Sequence, residues 1–193
     1  MQGRTRVVVL NGASSAGKTT LATAFRDQRA RAGDFWLVMG IDDFLAKLPA
    51  EWMSAGQDRG AFADDGVRFE PTAEGIDVSV GSLGRQLLRA YQACVRAAAQ
   101  TGLNIVVDEV VIDETSWTDW VAALRGLDVV WVGVRCAAEV AEERSTVRGD
   151  RYRGLARAQT AIVHRYPTYD FEIDTTTGGP DQALAELTRR LGY

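Results

Sequence analysis

Five short apolar runs divide the chain and predict the strands of a single sheet. They cover residues 7–10, 36–39, 105–107, 129–134 and 171–173. The first four are nearly continuous in apolar residues, which is typical of strands buried on both faces of a parallel sheet. The fifth belongs to a strictly alternating stretch and is therefore expected at an edge of the sheet.

Helical periodicity fills the intervals between these runs. It predicts helices over residues 18–32, 82–101 and 137–147, and a last helix that begins at Pro180. Strands that alternate with helices in this way predict a doubly wound α/β domain built on a five-stranded parallel sheet. With 193 residues, the chain has room for one such domain, residues 1–193, and hardly for two.

Residues 49–81 do not follow this alternation. The segment contains prolines and glycines and shows little periodicity. A long irregular insert inside a compact domain is either a disordered linker or a functional loop. Because this insert lies within the domain and carries large apolar side chains such as Trp52 and Phe69, we interpret it as a segment that covers and binds the substrate.

Composition narrows the class of partner. The chain is 46% hydrophobic and 25% charged, as in ordinary globular proteins, and its net charge is −4. A nucleic-acid-binding protein would need a basic excess to neutralise phosphates, and a membrane span would need roughly 18 consecutive apolar residues. Two cysteines are too few for a disulfide framework, and no secretory signal is visible. We therefore expect a cytoplasmic protein that acts on a small molecule, in an undetermined oligomeric state.

One loop carries the strongest chemical signal. It fits G-x-x-x-x-G-K-[ST] completely, with Gly12, Ala13, Ser14, Ser15, Ala16, Gly17, Lys18 and Thr19. Such a loop curls so that successive backbone N–H groups point at phosphate oxygens. Lys18 adds positive charge at the β- and γ-phosphates, and the hydroxyl of Thr19 is placed to bind Mg²⁺. With Thr20 and the positive end of the following helix, the loop predicts a site for ATP or GTP.

Carboxylates follow two of the predicted strands. Asp42 and Asp43 come after the second strand, and Asp108 and Glu109 after the third. In an open parallel sheet, ligands bind beyond the carboxyl ends of the strands. Asp108 has the form of a Walker B aspartate, which reaches Mg²⁺ directly or through water. One of the first two aspartates is expected to cap a helix that starts at Phe44, and the roles of Asp43 and Glu109 stay open.

Three arginines, Arg144, Arg148 and Arg151, are spaced to share one helix face. Guanidinium groups are well suited to hold a transferring phosphoryl group, and the alternative is a solvated basic face paired with nearby glutamates. Two glycines interrupt the helix, which favours a mobile lid over residues 144–158. In the loop after the fifth strand, Thr175 is a candidate contact for the nucleotide base, and a plain polar turn is the alternative.

Several segments resemble the chloramphenicol phosphotransferase family. They are residues 10–18, 40–42 with a proline downstream, 128–136, 148–151 and 174–176. The similarity extends from about residue 7 to residue 177. The resemblance implies a fold like that of the nucleoside monophosphate kinases, and an enzyme that moves the γ-phosphoryl group of ATP to an alcohol of a small molecule. In the founding case the acceptor is a hydroxyl of chloramphenicol.

The resemblance also assigns roles. It implies that Asp42 is the general base that faces the acceptor hydroxyl and that the arginines form the lid. Together with the motifs above, it predicts that Lys18, Arg148 and Arg151 contact the transferring group, that Arg144 stacks on adenine, and that Mg²⁺ binds Thr19 and Asp108.

The chain departs from the family in two places. Asp43 stands where a small polar residue is expected, and residues 51–81 match only in fragments. Chloramphenicol or a similar hydroxylated antibiotic is the expected acceptor, which would make the enzyme a resistance factor. A kinase of a nucleoside, an amino sugar or a nucleotide sugar is the alternative, and a non-enzymatic ATP-binding regulator is the second.

Overall fold

A five-stranded parallel sheet forms the centre of the molecule, with helices on both faces. The computed structural model describes residues 5–55, 58–72, 75–148 and 154–193. In chain order the elements are β1 (Arg6–Asn11), α1 (Lys18–Arg31), β2 (Trp36–Gly40), α2 (Ile41–Leu45), a short 3-10 helix (Ala50–Trp52), β3 (Met53–Ala55), β4 (Asp58–Arg59), β5 (Val67–Thr72), β6 (Gly75–Val80), α3 (Ser82–Gln100), β7 (Asn104–Glu109), α4 (Glu114–Ala123), β8 (Asp128–Arg135), α5 (Ala138–Arg148), α6 (Leu155–Thr160), β9 (Phe171–Asp174) and α7 (Pro180–Leu191).

The central sheet confirms the predicted fold class and all five predicted strands. Its strand order is β2-β7-β1-β8-β9, and every neighbouring pair is parallel. The alternating strand β9 lies at an edge, as expected. In the register, Asp108 of β7 lies opposite Leu10 of β1 and Gly40 of β2. The carboxyl ends of these three strands therefore meet at one edge of the sheet.

Alternate residues of β1 divide the core into two layers. Val8 and Leu10 pack with Phe25 of α1 and Leu187 of α7 on one face. Val7 and Val9 face the other side, where the core contains Tyr91 and Val95 of α3. Trp120 of α4 and Leu124, the residue that ends α4, belong to the same layer. Because β1 is buried on both faces, its near-continuous apolar sequence fits its central position in the sheet. Of the helices in the described ranges, none is long and apolar enough to cross a bilayer.

Within the insert, the described residues 49–55, 58–72 and 75–81 contribute the strands of a second sheet, which corrects the expectation of an irregular segment. Its strand order is β4-β3-β5-β6, and β5 and β6 form an antiparallel hairpin in which Val67 pairs with Val80 and Phe69 with Val78. The glycines serve close backbone packing. A β-carbon built on Gly66 would overlap the carbonyl oxygen of Trp52. Glycines that the sequence suggested were loop residues are therefore needed for close backbone contact, because they have no β-carbon.

Candidate active site

The loop between β1 and α1 has the curled backbone that a phosphate site requires. Ser15 has a φ of 60° and Gly17 a φ of 91°, so both residues lie in the left-handed region. This conformation is uncommon for a residue with a side chain, and it is maintained where the surrounding structure and function require it. A β-carbon on Gly12 would overlap the carbonyl oxygen of Val134, so the loop can pass close to β8 only with glycine there.

Buried polar groups in this loop are unsatisfied by the protein. Among the described residues, the hydroxyls of Ser14 and Ser15 are buried without a hydrogen-bond partner. Lys18 is only 5% exposed, and its Nζ donates to the carbonyl oxygen of Ala13 at 2.8 Å and lies 3.7 Å from Oδ1 of Asp108. Buried hydroxyls beside a buried cation are a good match for the oxygens of a phosphate group.

The residues predicted to hold a metal ion contact one another. The hydroxyl of Thr19, in the first turn of α1, donates to the carboxylate of Asp108 at the end of β7. A hydroxyl and a carboxylate are the hard oxygen ligands that Mg²⁺ takes beside nucleotide phosphates. Both line the same cavity as Lys18. The donor set therefore fits Mg²⁺.

The two aspartates after β2 have different environments. Asp42 lines the cavity from the first turn of α2. The carboxylate of Asp43 turns back and accepts a hydrogen bond from the backbone N–H of Gly40 at 3.3 Å. Neither aspartate is the N-cap of a helix that starts at Phe44, as the sequence suggested. The helix begins at Ile41 with Gly40 at its N-cap, and Asp43 bonds back to Gly40 from the third helical position.

Arg144 and Thr175 meet beside the phosphate loop. Nη2 of Arg144 donates to the carbonyl oxygen of Thr175 at 2.8 Å, and the hydroxyl of Thr175 donates to the carbonyl oxygen of Ala16 at 2.7 Å. Both residues line the cavity, as does Thr20. Arg151 and the side chain of Arg148 lie outside the described residues, so the lid and its arginines stay a prediction.

Two residues that the sequence did not single out support the phosphate loop. The backbone N–H of Ser14 donates to Oε1 of Gln159 in α6 at 2.7 Å. Asn11, the last residue of β1, donates to the carbonyl oxygen of Val163 at 2.8 Å. Nothing in the local pattern marks either residue, because their importance comes from segments more than 140 positions away.

The cavity extends from the phosphate loop to the insert and has a volume of about 1060 Å³. Beyond Asp42 its walls are largely apolar and come from α2, the insert, α3 and the segment after β7. The apolar residues are Leu45, Leu48, Met53, Val67, Phe69, Val78, Val80, Leu88, Val110 and Ile112. A pocket of this kind, with a few convergent polar groups, is typical of small-molecule sites. We call this part of the cavity the distal half.

Glu109 introduces a carboxylate into the distal half. Its Oε1 accepts from the backbone N–H of Val110 at 2.7 Å and its Oε2 from Nε1 of Trp120 at 2.9 Å. Burial raises the pKa of Glu109 to about 7, and the two hydrogen bonds oppose that rise. Burial, with Glu109 nearby, also raises the pKa of Tyr91, whose hydroxyl donates to the carbonyl oxygen of Met39.

Comparisons with known proteins indicate the class of protein to which the chain belongs. Two proteins of Mycobacterium tuberculosis, from strains CDC 1551 / Oshkosh and ATCC 25618 / H37Rv and provisionally named O-phosphotransferases, are 32% identical to the chain over 185 residues, which is 94% of this chain and 80% of each relative.

Solved structures show the same fold at low sequence identity. An APS kinase of M. tuberculosis in complex with AMPPNP and APS superposes with a TM-score of 0.68 at 15% identity, covering 98% of this chain and 99% of that one. A sugar kinase of Janibacter sp. HTCC2649 gives 0.66 at 20% identity, covering 97% and 94%. The shikimate kinase of Acinetobacter baumannii, in complex with shikimate, gives 0.57 at 15% identity, covering 98% and 94%.

The family model described as chloramphenicol phosphotransferase-like protein matches residues 5–191, nearly the whole chain. This match confirms the resemblance found in the sequence. The chain belongs to the chloramphenicol phosphotransferase-like family, and it is a phosphotransferase with the fold of the P-loop kinases.

Proposed function

We propose that the protein transfers the γ-phosphoryl group of ATP to an alcohol of a small molecule, with Mg²⁺ as cofactor. The observation that carries the proposal is that Lys18, Thr19, Asp108 and Asp42 line one continuous cavity. Three of them form a phosphate and metal site, and the fourth is a carboxylate between that site and an apolar pocket. A regulator that only bound ATP would have no need of this pocket.

Each of these residues has a separate role in phosphoryl transfer, a reaction that depends on positioning and charge neutralisation. The loop N–H groups and Lys18 hold the phosphates, and Thr19 and Asp108 hold Mg²⁺, which neutralises phosphate charge when bound. Asp42 orients the acceptor hydroxyl and takes its proton as the oxygen bonds to the γ-phosphorus and the bond to ADP breaks.

The remaining predicted contacts complete the nucleotide site. Arg144 and Thr175 contact the nucleotide beside the loop. Arg148 and Arg151 close over the transferring group from the lid at residues 144–158. These assignments follow from the family resemblance and from the arginine spacing.

Chloramphenicol and similar hydroxylated antibiotics are the first acceptors to test. An apolar pocket beside the catalytic carboxylate suits a hydroxyl attached to a largely apolar body. Phosphorylation of such a drug would inactivate it, so antibiotic resistance is the proposed role. A nucleoside, an amino sugar or a nucleotide sugar is the alternative acceptor. Cys94 and Cys136 are both free, in keeping with the proposed cytoplasmic location.

Replacing Asp42 by Asn tests the enzymatic proposal. The variant should bind an ATP analogue with Mg²⁺ at nearly unchanged Kd, because Asp42 is not proposed to contact ATP. Phosphoryl transfer should slow by at least about 10²-fold, since an alcohol hydroxyl ionises far too weakly at neutral pH to react well without a base. Titration calorimetry with AMPPNP gives the Kd, and ADP release with an acceptor panel gives the rate.

Asp43→Asn is the matched control, because Asp43 is the adjacent carboxylate and bonds back to Gly40. It should keep transfer within a few-fold of wild type. Lys18→Ala should lose transfer while the protein stays folded. A large fall in nucleotide affinity of Asp42→Asn would place Asp42 in the metal site instead, and unchanged transfer would remove it from the mechanism.

A further inference from the structure

Among the buried polar side chains that interrupt the apolar wall of the distal half, two carry an amide or a carboxyl group. They are Gln92 of α3, which is 3% exposed, and Glu109 at the end of β7, which is 4% exposed. Both line the cavity. Their neighbours in the wall, such as Leu88 and Trp120, are large and apolar.

The amide of Gln92 is unsatisfied within the described part of the chain. Gln92 follows Leu88 by four positions on α3, which places both side chains on the helix face that lines the cavity. Its side chain makes no hydrogen bond to the described residues, whereas the amide of Gln159 in the other half accepts one from the phosphate loop. Because Gln92 lines the cavity, its amide is open to the cavity, where a bound ligand can take up its hydrogen bonds.

Glu109 has capacity for further hydrogen bonds. Each of its carboxylate oxygens accepts one bond, from Val110 and from Trp120. These two bonds fix the orientation of the carboxyl group, and each oxygen retains a second lone pair. The ionised form accepts and does not donate, so a ligand group that meets it carries an N–H or an O–H, whereas the protonated form can also donate. A negatively charged ligand group is repelled by the ionised form.

Resting on the proposed function, we propose that Gln92 and Glu109 recognise a second polar group of the acceptor, distinct from the hydroxyl that is phosphorylated. The acceptor class is then an uncharged or cationic alcohol with an apolar body and a second hydroxyl or N–H group. The reacting hydroxyl faces Asp42, the apolar body contacts the hairpin of β5 and β6, and the second group reaches Gln92 and Glu109.

In this arrangement, Gln92 and Glu109 determine which acceptor alcohols the pocket accepts. A pocket built to hydrogen-bond a substrate group rejects an analogue that lacks it, because its own buried polar groups then stay unpaired. An apolar wall alone discriminates much more weakly between such analogues. Gln92 and Glu109 are therefore assigned to recognition, and neither is assigned to the chemical step.

Matched alcohols test the proposal. The first two are 1-phenylpropane-1,3-diol and 3-phenylpropan-1-ol, which share a carbon skeleton and a primary alcohol and differ only in the second hydroxyl. The third, 3-hydroxy-2-phenylpropanoate, carries a carboxylate instead. The wild-type protein should favour the diol over the mono-alcohol by about 10–10²-fold in kcat/KM. It should use the carboxylate least.

Two variants then locate the preference. Gln92→Leu and Glu109→Gln should each reduce the diol-to-mono-alcohol ratio by about tenfold or more, chiefly through KM. Gln100→Leu, at an exposed position on the same helix, is the matched control and should leave the ratio unchanged. Circular dichroism checks that each variant folds, and either folded variant suffices for the test. An unchanged ratio in the folded variants, or a wild-type preference for the mono-alcohol or the carboxylate, would overturn the assignment.

Failure of the proposed function gives a different result. If the wild-type protein phosphorylated none of the three alcohols, phosphoryl transfer to this class would be refuted. Binding of the diol and the mono-alcohol in the presence of AMPPNP, measured by titration calorimetry, would still decide the inference. Tighter binding of the diol that is lost in Gln92→Leu supports recognition by the pair, and equal binding of the two alcohols refutes it.

Discussion

Asn11 connects the start of the phosphate loop to the rest of the fold through several hydrogen bonds, and replacing it by alanine tests their contribution. Asn11 is completely buried and immediately precedes Gly12. Its Nδ2 donates to the carbonyl oxygen of Val163 at 2.8 Å and to the hydroxyl of Tyr169 at 2.6 Å, and its Oδ1 accepts from the backbone N–H of Val111 at 2.8 Å. One side chain therefore joins β1 to two distant segments.

The magnitude follows from the groups that Asn11→Ala leaves behind. The carbonyl of Val163 and the N–H of Val111 lose their bonds to Asn11, and each such buried group costs about 1–3 kcal/mol. The hydroxyl of Tyr169 still has Nδ1 of His164 at 2.7 Å, so it adds little. Water that enters the vacated space recovers part of the loss. We expect the free energy of unfolding to fall by about 2–4 kcal/mol.

Urea unfolding, followed by circular dichroism, measures this change, and the m value should stay constant. Asn104→Ala is the matched control. Asn104 is a half-buried asparagine at the start of β7 whose Oδ1 accepts from the N–H of Arg6 at 3.0 Å, and its loss should cost about 1 kcal/mol. A loss for Asn11→Ala below about 1 kcal/mol, or no larger than for Asn104→Ala, would refute the reasoning.

Two further predictions concern pH and the insert. Burial lowers the pKa of His164 to about 4 from its ordinary 6.5, so the unfolded chain binds more protons between these pH values. The contribution of His164 to the free energy of unfolding should be fully present above pH 6.5 and lost toward pH 4, opposite in sign to the contribution of Glu109, whose pKa is raised to about 7. The difference in pH dependence between the wild type and His164→Gln measures it, and NMR titration of the chain's single histidine would disprove the assignment by giving a pKa near 6.5. Gly66→Ala should disrupt the insert, because its β-carbon overlaps Trp52, and should raise the acceptor KM without changing AMPPNP affinity. Equal losses of acceptor use and nucleotide binding would contradict this separation.

The central sheet and the phosphate loop were predictable because their signals are local. A strand buried on both faces has to be apolar throughout, and a loop that cradles phosphate needs glycine and lysine at fixed spacing. The sequence also predicted that Asp108 lies beside the phosphate loop, because it ends a strand of the same parallel sheet, and β7 does lie next to β1. Helix α4 has no counterpart among the predicted helices, although Asp113 caps it by accepting from the N–H of Ser116 at 2.7 Å. Its short length weakened the periodic signal.

The secondary structure of the insert was predicted wrongly because its apolar residues repeat with the period of a β-strand rather than that of a helix. In β5 and β6, apolar residues alternate strictly with polar ones, as in a hairpin with one buried face. Each strand is only six residues long and the neighbouring glycines suggest loops, so the alternation is easily missed. Gln92 was missed for a different reason, and Glu109 was noted only as a carboxylate whose role stayed open. A glutamine on an amphipathic helix is ordinarily solvated, and only the packing of three segments reveals that this one is buried.

The structure also explains how the proposed acceptor pocket can differ among relatives that share one phosphoryl chemistry. The phosphate loop is fixed between β1 and α1, whose side chains fill the core on both faces of the sheet. The pocket wall is carried by β5 and β6, which hold each other through backbone hydrogen bonds. Substitutions on the inward face, at Val67, Phe69, Val78 and Val80, reshape the pocket without removing those bonds. Acceptor specificity can therefore change in the hairpin while the geometry at Lys18 is preserved.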